Sequence, residues 1–186
     1  MSAQEQQSES STLIPVSEDP FCRESSLTSL DNWITPTDRF YIRSHFSDVP
    51  DLDHSSWQLV VDGEVNQPLT LSFDDILAMP SIEIVSTLEC AGNSRSYTTP
   101  PSEGLAFRHG AVSTGRWRGV PLKHLLDRAG LKGTAVEVVF EGADHGQEQE
   151  DGVSFDLNYR RSLTLEMASQ PDILLAYEMN GEPLTA

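Results

Sequence analysis

One cysteine in this chain lies in a sequence context that suits chemistry. Cys90 follows a run rich in β-branched residues, 82–88, which predicts a buried strand that opens into a loop at the cysteine. The next three residues, A-G-N, are small and turn-forming, and Arg95 follows shortly afterwards. Small residues let a ligand approach the backbone, and a guanidinium can lower a thiol pKa or hold an oxyanion through paired donors. Cys90 and Arg95 therefore form a candidate site.

Several interpretations of this cysteine stay open. A lone cysteine is more often a small buried hydrophobe than a functional group. No second thiol lies near Cys90, which excludes zinc ribbons and iron–sulfur clusters. A soft thiolate can be the single protein ligand of a metal whose other ligands come from an organic cofactor, whereas a nucleophilic thiol needs a histidine base. The candidate bases are His45, His54, His109, His124 and His145.

Composition limits the class of protein. The 186 residues, 38% of them hydrophobic, suit one domain with a core. The formal charge of −17, from 29 acidic and 12 basic side chains, argues against nucleic acid as a partner. No window approaches the roughly 20 apolar residues of a membrane-spanning helix, and the N-terminus lacks the pattern of a signal peptide. We predict a cytoplasmic protein with no membrane partner, in which Cys22 and Cys90 stay reduced.

The site must be positioned by the surrounding helices and strands. Because the predicted strands outnumber the predicted helices, we expect an α+β fold with a mostly antiparallel or mixed sheet. Residues 1–30 are polar and are predicted to form a disordered tail, ahead of an ordered domain over 31–186. Strands are predicted over 56–61, the L-T-L-S-F run, 82–88, 135–140, 155–159 and 173–179, helices over 73–79 and 121–129, and loops over 98–115 and 141–153. The last residues, 180–186, read as a turn entering another strand, so the chain is expected to be a fragment.

Five runs carry a resemblance to a known family. They are Y-I-R-S-H at 41–45, T-L-E-C-A-G-N-S-R-S at 87–96, G-A-V-S-T-G-R-W-R-G-V-P-L at 110–122, F-E-G-A-D at 140–144 and L-L-A-Y-E-M-N-G-E-P-L at 174–184. Together and in this order they resemble the molybdopterin-binding domain of sulfite oxidase and assimilatory nitrate reductase. The resemblance covers residues 32–186 and implies the sulfite-oxidase-type fold, incomplete at its C-terminal end.

The resemblance also implies a cofactor and a set of site residues. The cofactor is Mo-molybdopterin, with Cys90 as the only protein ligand to the metal. Arg43, Cys90 and Arg95 are implied to be catalytic, the two arginines facing an oxyanion substrate. The implied cofactor-binding residues are Tyr41, Ile42, Arg43, Ser44, His45, Cys90 and Asp144. The arginines expected to be solvated or structural are Arg39, Arg116, Arg118, Arg160 and Arg161.

The chain departs from the family pattern at three places. Ser94 stands where many members carry a second arginine, and Phe107 stands where sulfite oxidases often carry a tryptophan beside the substrate pocket. The D-H-G-F-P-x-R segment that holds the pterin phosphate, and a second domain through which members dimerise, are not in this sequence. A homodimer is therefore expected only if that domain is present.

The resemblance leaves several functions open. Two-electron oxidation of sulfite to sulfate is the preferred reaction. Nitrate reduction, sulfoxide reduction, a truncated non-catalytic remnant and a thiol-based redox protein are the alternatives. The expected partners are a small oxyanion and a separate electron acceptor or donor protein, because the sequence carries no haem or flavin motif.

Overall fold

The computed structural model describes residues 13–150 and 152–184. The described chain divides into two compact units. The first unit holds residues up to Asp48 together with Val85–Arg116, and the second unit holds Val49–Ile84 and the residues from Trp117 onward. Within the described ranges, no helix is long and apolar enough to cross a membrane.

Three short strands form a sheet in the first unit. β1 (Ile14–Glu18), β2 (Phe21–Glu24) and β3 (Ile42–Arg43) pair in the order β1-β2-β3, and both pairs are antiparallel. The prediction of a disordered tail through residue 30 is therefore wrong from residue 14 onward. The ordering entropy of this polar segment is offset by burial, since Cys22 is 0% and Glu24 only 2% exposed. The part of the prediction that concerns residues 1–12 lies outside the described residues.

The remaining elements follow the predicted α+β class, which is confirmed. A four-stranded sheet has the order β11-β10-β7-β6, and two antiparallel ribbons pair β4 with β5 and β8 with β9. The strands are β4 (Gln58–Val61), β5 (Leu69–Ser72), β6 (Ile82–Glu89), β7 (Val112–Pro121), β8 (Glu137–Glu150), β9 (Val153–Thr164), β10 (Leu174–Met179) and β11 (Glu182–Pro183). The α-helices are α1 (Phe73–Leu77), α2 (Leu122–Ala129) and α3 (Leu165–Ala168), and short 3-10 helices cover Leu27–Ser29, Thr37–Arg39 and Arg95–Tyr97.

The two predicted helices form where their sequence signals indicated. α1 begins at a capping box, in which the Ser72 hydroxyl accepts from Asp75 N and the Asp75 carboxylate accepts from Ser72 N. The Ser72 hydroxyl also donates to the Asp75 carboxylate over 2.6 Å, and this hydrogen bond, followed by the one from Ser72 N, lowers the pKa of Asp75. α2 ends at Gly130, and Pro121 is its N-cap rather than its first helical residue. The core of the second unit contains the buried face of α2, formed by Leu122, Leu125, Leu126 and Ala129.

Three local predictions are wrong. The predicted loop over 141–153 is mostly paired strand, because β8 and β9 continue across it with a register shift between Glu141 and His145. β7 begins inside the predicted loop over 98–115, where glycine, serine and threonine obscured the strand pattern. β6 is at the edge of its sheet and is mostly exposed rather than buried. Of the turn entering a strand that was predicted over 180–186, the turn is confirmed by Asn180 and Gly181 at positive φ and the strand by β11, and residues 185–186 lie outside the described residues.

Replacing Gly119 by alanine is expected to destabilise the second unit. Gly119 pairs with Ala176 across β7 and β10, and a Cβ at Gly119 would lie 2.7 Å from the Ala176 Cα and would also collide with Leu175 O. The strands must then move apart, which costs about 1–3 kcal/mol in the free energy of unfolding. Urea unfolding measures this. The matched control is Gly133→Ala, because a Cβ there meets no atom within 4 Å; equal stability of the two variants would contradict the prediction.

Candidate functional site

The loop that carries Cys90 is closed by backbone hydrogen bonds. Cys90 directly follows β6, as predicted, and is half-buried. Its N–H donates to Ala111 O over 2.9 Å, and its carbonyl accepts from Asn93 N over 2.8 Å. The Gly92 N–H lies 3.4 Å from Cys90 Sγ and donates to it. The Gly92 N–H thus fixes the position of the sulfur, whose thiolate is the form that binds metals.

Asn93 holds this loop with its side chain, a role that the sequence interpretation missed. Its Oδ1 accepts from Ala111 N over 3.1 Å, and its Nδ2 donates to Glu89 Oε1 over 2.9 Å. The amide therefore links the loop to the end of β6 and to the residue before β7. The sequence carried one signal, since an asparagine after two small residues is typical of a turn that uses its own side chain.

Two glycines hold the guanidinium of Arg95. A Cβ at Gly92 would lie 3.3 Å from Arg95 Cζ, and a Cβ at Gly104 would lie 3.1 Å from it and would collide with Nη1. Gly104 also has φ +102°, a conformation that favours glycine. Ser94, at φ 66°, turns the chain into the 3-10 helix that begins at Arg95. The guanidinium therefore lies against bare backbone, which restricts its orientation.

Cys90 packs against a small cluster of buried residues. Cys22, Phe107 and Ala111 are each 0% exposed, and Val16, Tyr41, Cys90 and Leu105 pack against them. Tyr41 and Cys90 thus pack against the same buried residues, and their roles toward a cofactor stay predictions. Phe107 is a core residue of this cluster. We call these seven residues the cysteine cluster.

The Tyr41 phenol remains protonated at neutral pH. Its pKa is raised, first by burial and then by the negative charges of Cys90 and Glu89. Raising the pKa of a phenol that already titrates near 10 keeps its hydroxyl as a donor through the physiological range. Tyr41 can therefore donate to an anionic group beside Cys90.

The segment around Arg43 is fixed by its pairing with β2. Arg43 lies opposite Cys22 in the antiparallel ladder, and Ile42 lies opposite Arg23. Ser44 N donates to Phe21 O over 3.3 Å. The Arg43 side chain is exposed, and its Nη1 lies 3.1 Å from His45 Nδ1. An arginine can only donate, so this contact is a hydrogen bond when His45 Nδ1 carries a lone pair.

The other predicted residues are divided between the two units. Asp144 lies on β8 in the second unit, beside Gly142, and its role toward the cofactor stays a prediction. His54, His124 and His145 also belong to the second unit. Of the five candidate bases, the first unit holds His45 and His109, and His109 Nδ1 lies 2.9 Å from Ser94 Oγ while its ring stacks on Tyr97.

The arginines set aside as solvated or structural show contacts of that kind. Arg160 pairs with Glu141, the Arg161 guanidinium lies 4.4 Å from the Tyr159 ring centroid, and Arg118 Nε donates to Ser81 Oγ over 3.3 Å. Arg39 differs in one respect. Its Nε is buried with no hydrogen-bond partner among the described atoms.

Sequence reasoning missed an ion pair between residues far apart in the chain. The Glu24 carboxylate, 2% exposed, accepts from Arg108 N through Oε2 and from Arg108 Nε through Oε1, each over 2.7 Å. Arg108 is half-exposed. Neither residue belongs to a run that resembles the family, so no local signal indicated the pair.

The residues around Cys90 fit a metal that takes one thiolate from the protein. Among the described residues, no group of three or more histidine, cysteine, aspartate or glutamate side chains is placed to hold a metal ion. A metal at Cys90 would therefore draw its other ligands from an organic molecule. Cys90 is only half-buried, which leaves part of this residue accessible to such a molecule.

Comparison with known proteins defines the class of this chain. Residues 45–186 match the family model described as the oxidoreductase molybdopterin binding domain. The chain therefore belongs to this family of molybdopterin-binding oxidoreductases, and the predicted molybdenum cofactor is confirmed.

Within and around this family, the chain is similar to sulfite oxidases, nitrate reductases and a sulfane dehydrogenase. Sulfite oxidase, mitochondrial, of Homo sapiens is 44% identical over 161 residues, which are 83% of this chain and 28% of that protein. Nitrate reductase [NADH] 1 of Oryza sativa subsp. japonica is 41% identical over 160 residues, which are 82% of this chain and 17% of that protein. The crystal structure of the sulfane dehydrogenase SoxCD from Paracoccus pantotrophus matches with a TM-score of 0.78 at 25% identity, covering 100% of this chain and 45% of that one. The chain thus spans less than half the length of each of these relatives.

Proposed function

We propose that this chain carries the metal-binding cysteine of a sulfite-oxidase-like enzyme that oxidises sulfite to sulfate by two-electron oxygen-atom transfer. The observation that carries the proposal is the Cys90 loop, in which one half-buried thiol accepts from Gly92 N–H beside a guanidinium held by Gly92 and Gly104. The identity to sulfite oxidases supports this substrate class.

Some residues of the first unit would bind the metal, and others would bind the substrate. When bound, the molybdenum cofactor would supply the change of oxidation state and the oxygen transfer. Cys90 would hold the metal through its thiolate. Arg95 would offer paired N–H donors to the oxygens of a small oxyanion, and its fixed orientation would reduce the entropy lost when substrate binds. Arg43 would add positive charge from β3, and Tyr41 would donate its hydroxyl.

Nitrate reduction by the same site is the second candidate. The 41% identity to a plant nitrate reductase supports it, because Cys90 and Arg95 could hold a metal and bind nitrate by the same chemistry. The proposal also includes a separate electron-transfer protein as a partner. A cytoplasmic location and an oligomeric state set by a further domain remain predictions.

Metal analysis of the purified protein tests the proposal. The 186-residue chain, produced in cells that make the molybdenum cofactor, is expected to retain stoichiometric molybdenum and to oxidise sulfite with an artificial electron acceptor. Nitrate reduction without sulfite oxidation would favour the second candidate. The control is a form extended to the length of its relatives. Molybdenum in the extended form alone would make the short chain a remnant, and its absence from both forms would overturn the proposal.

A further inference from the structure

Both ends of the Cys90 loop are anchored to one short segment, residues 107–111, which we call the return segment. Cys90 N donates to Ala111 O over 2.9 Å, and Ser96 N donates to Phe107 O over 3.1 Å. Ser94 N donates to Arg108 O, and the Asn93 side chain accepts from Ala111 N. The positions of Cys90 and Arg95 therefore depend on where the return segment lies.

The return segment is in turn held by β2 and the residue that follows it. Ser25 N donates to Gly110 O over 2.9 Å, and a Cβ at Gly110 would collide with the Ser25 backbone. The Glu24 carboxylate uses both oxygens on Arg108, one on the backbone N–H and one on Nε. These contacts come from residues outside the part of the chain that matches the family model, which begins at residue 45.

We propose that Glu24 is a positioning residue for the Cys90 and Arg95 loop, acting through Arg108 and the return segment. A carboxylate is required because it accepts on both oxygens, whereas a glutamine accepts on one and presents an NH₂ group to the second donor. Because residue 24 is only 2% exposed, water cannot replace the acceptor that is lost on its side of the contact. The inference rests on the proposed function only for its consequence, the loss of metal.

Hydrogen exchange of the full chain, measured without cofactor, tests the positioning role. In Glu24→Gln the amides of Cys90 and Ser96 are expected to exchange about tenfold faster or more, because their acceptors belong to the return segment. Amides of β4 and β5, in the second unit, are expected to keep their rates. A merely structural role would accelerate both sets together and would overturn the proposal, as would unchanged exchange at Cys90 and Ser96.

Two further variants sharpen the test. The matched control is Glu18→Gln, since Glu18 pairs with Arg23 but is 76% exposed, and its exchange rates should equal those of the original chain. If Glu24→Gln does not fold, Arg108→Met replaces it, because this change removes only the Nε contact and should accelerate the same two amides to a smaller extent.

Molybdenum content separates this inference from the proposed function. Glu24→Gln is expected to retain less molybdenum than Glu18→Gln after the same purification. If neither the original chain nor its extended form binds molybdenum while the two amides still accelerate, the proposed function fails and the positioning role stands. If molybdenum is bound and the amides do not respond, the positioning role fails alone.

Discussion

Replacing Cys90 by serine is expected to abolish molybdenum retention and sulfite oxidation while leaving the fold intact. A serine hydroxyl remains protonated at neutral pH and is a poor ligand for a soft-ligand site. The substitution is nearly isosteric and Cys90 is only half-buried, so the free energy of unfolding should change by less than about 1.5 kcal/mol. Metal analysis and urea unfolding of the variant measure the two effects.

The same substitution at the other cysteine provides the matched control. Cys22 is 0% exposed in the cysteine cluster, and its thiol donates to Ser44 O over 3.7 Å. Cys22→Ser buries a more polar and smaller group there and should cost about 1–3 kcal/mol while molybdenum is still bound. Full molybdenum content in Cys90→Ser would remove Cys90 as the ligand. Global unfolding of metal-free Cys90→Ser would show instead that this cysteine serves packing.

Replacing Arg95 by glutamine is expected to raise KM for an anionic substrate about 10- to 100-fold, because charge-assisted hydrogen bonds contribute about 1.5–3 kcal/mol each. The change in kcat should be smaller if the guanidinium binds substrate and transition state alike. Gly92 and Gly104 hold the guanidinium in one place, and a glutamine amide is too short to fill that position. Steady-state kinetics of the molybdenum-loaded protein measure both constants.

Arg116→Gln is the charge-matched control, because Arg116 is an exposed residue of β7 outside the Cys90 loop. It removes the same charge and should leave KM within about twofold, as expected for an exposed charge that is screened by salt. An equal rise in KM for both variants would mean that net charge, rather than Arg95 itself, attracts the substrate. Unchanged kinetics in Arg95→Gln would remove Arg95 from the site.

Local sequence signals account for the elements that were predicted correctly. α2 follows from leucines at helical spacing between Pro121 and Gly130, and α1 follows from a helical run that ends before Pro80. Both signals act within a few residues. β6 was placed correctly but was wrongly expected to be buried, because its β-branched residues describe a strand and not its place at the edge of a sheet.

Long-range pairing explains the elements that were missed. β1 and β2 are short runs within a mostly polar stretch of sequence, and they are ordered by pairing with each other and with β3. The strands of the β8–β9 ribbon extend through residues that lack an alternating pattern, because the partner strand satisfies their backbone groups. The residue pattern of one segment does not show which distant strand it will pair with.

For this protein, the sequence by itself determined the reactive group, its place at the end of a strand and the family, because these depend on residue types at short spacing. Only the tertiary structure decided what holds that group. Glu24 and Arg108 are 84 positions apart, and Asn93 and Ala111 are 18 apart. Such contacts form only when the folded chain buries a carboxylate or turns an amide toward a distant backbone N–H, and no local pattern encodes them.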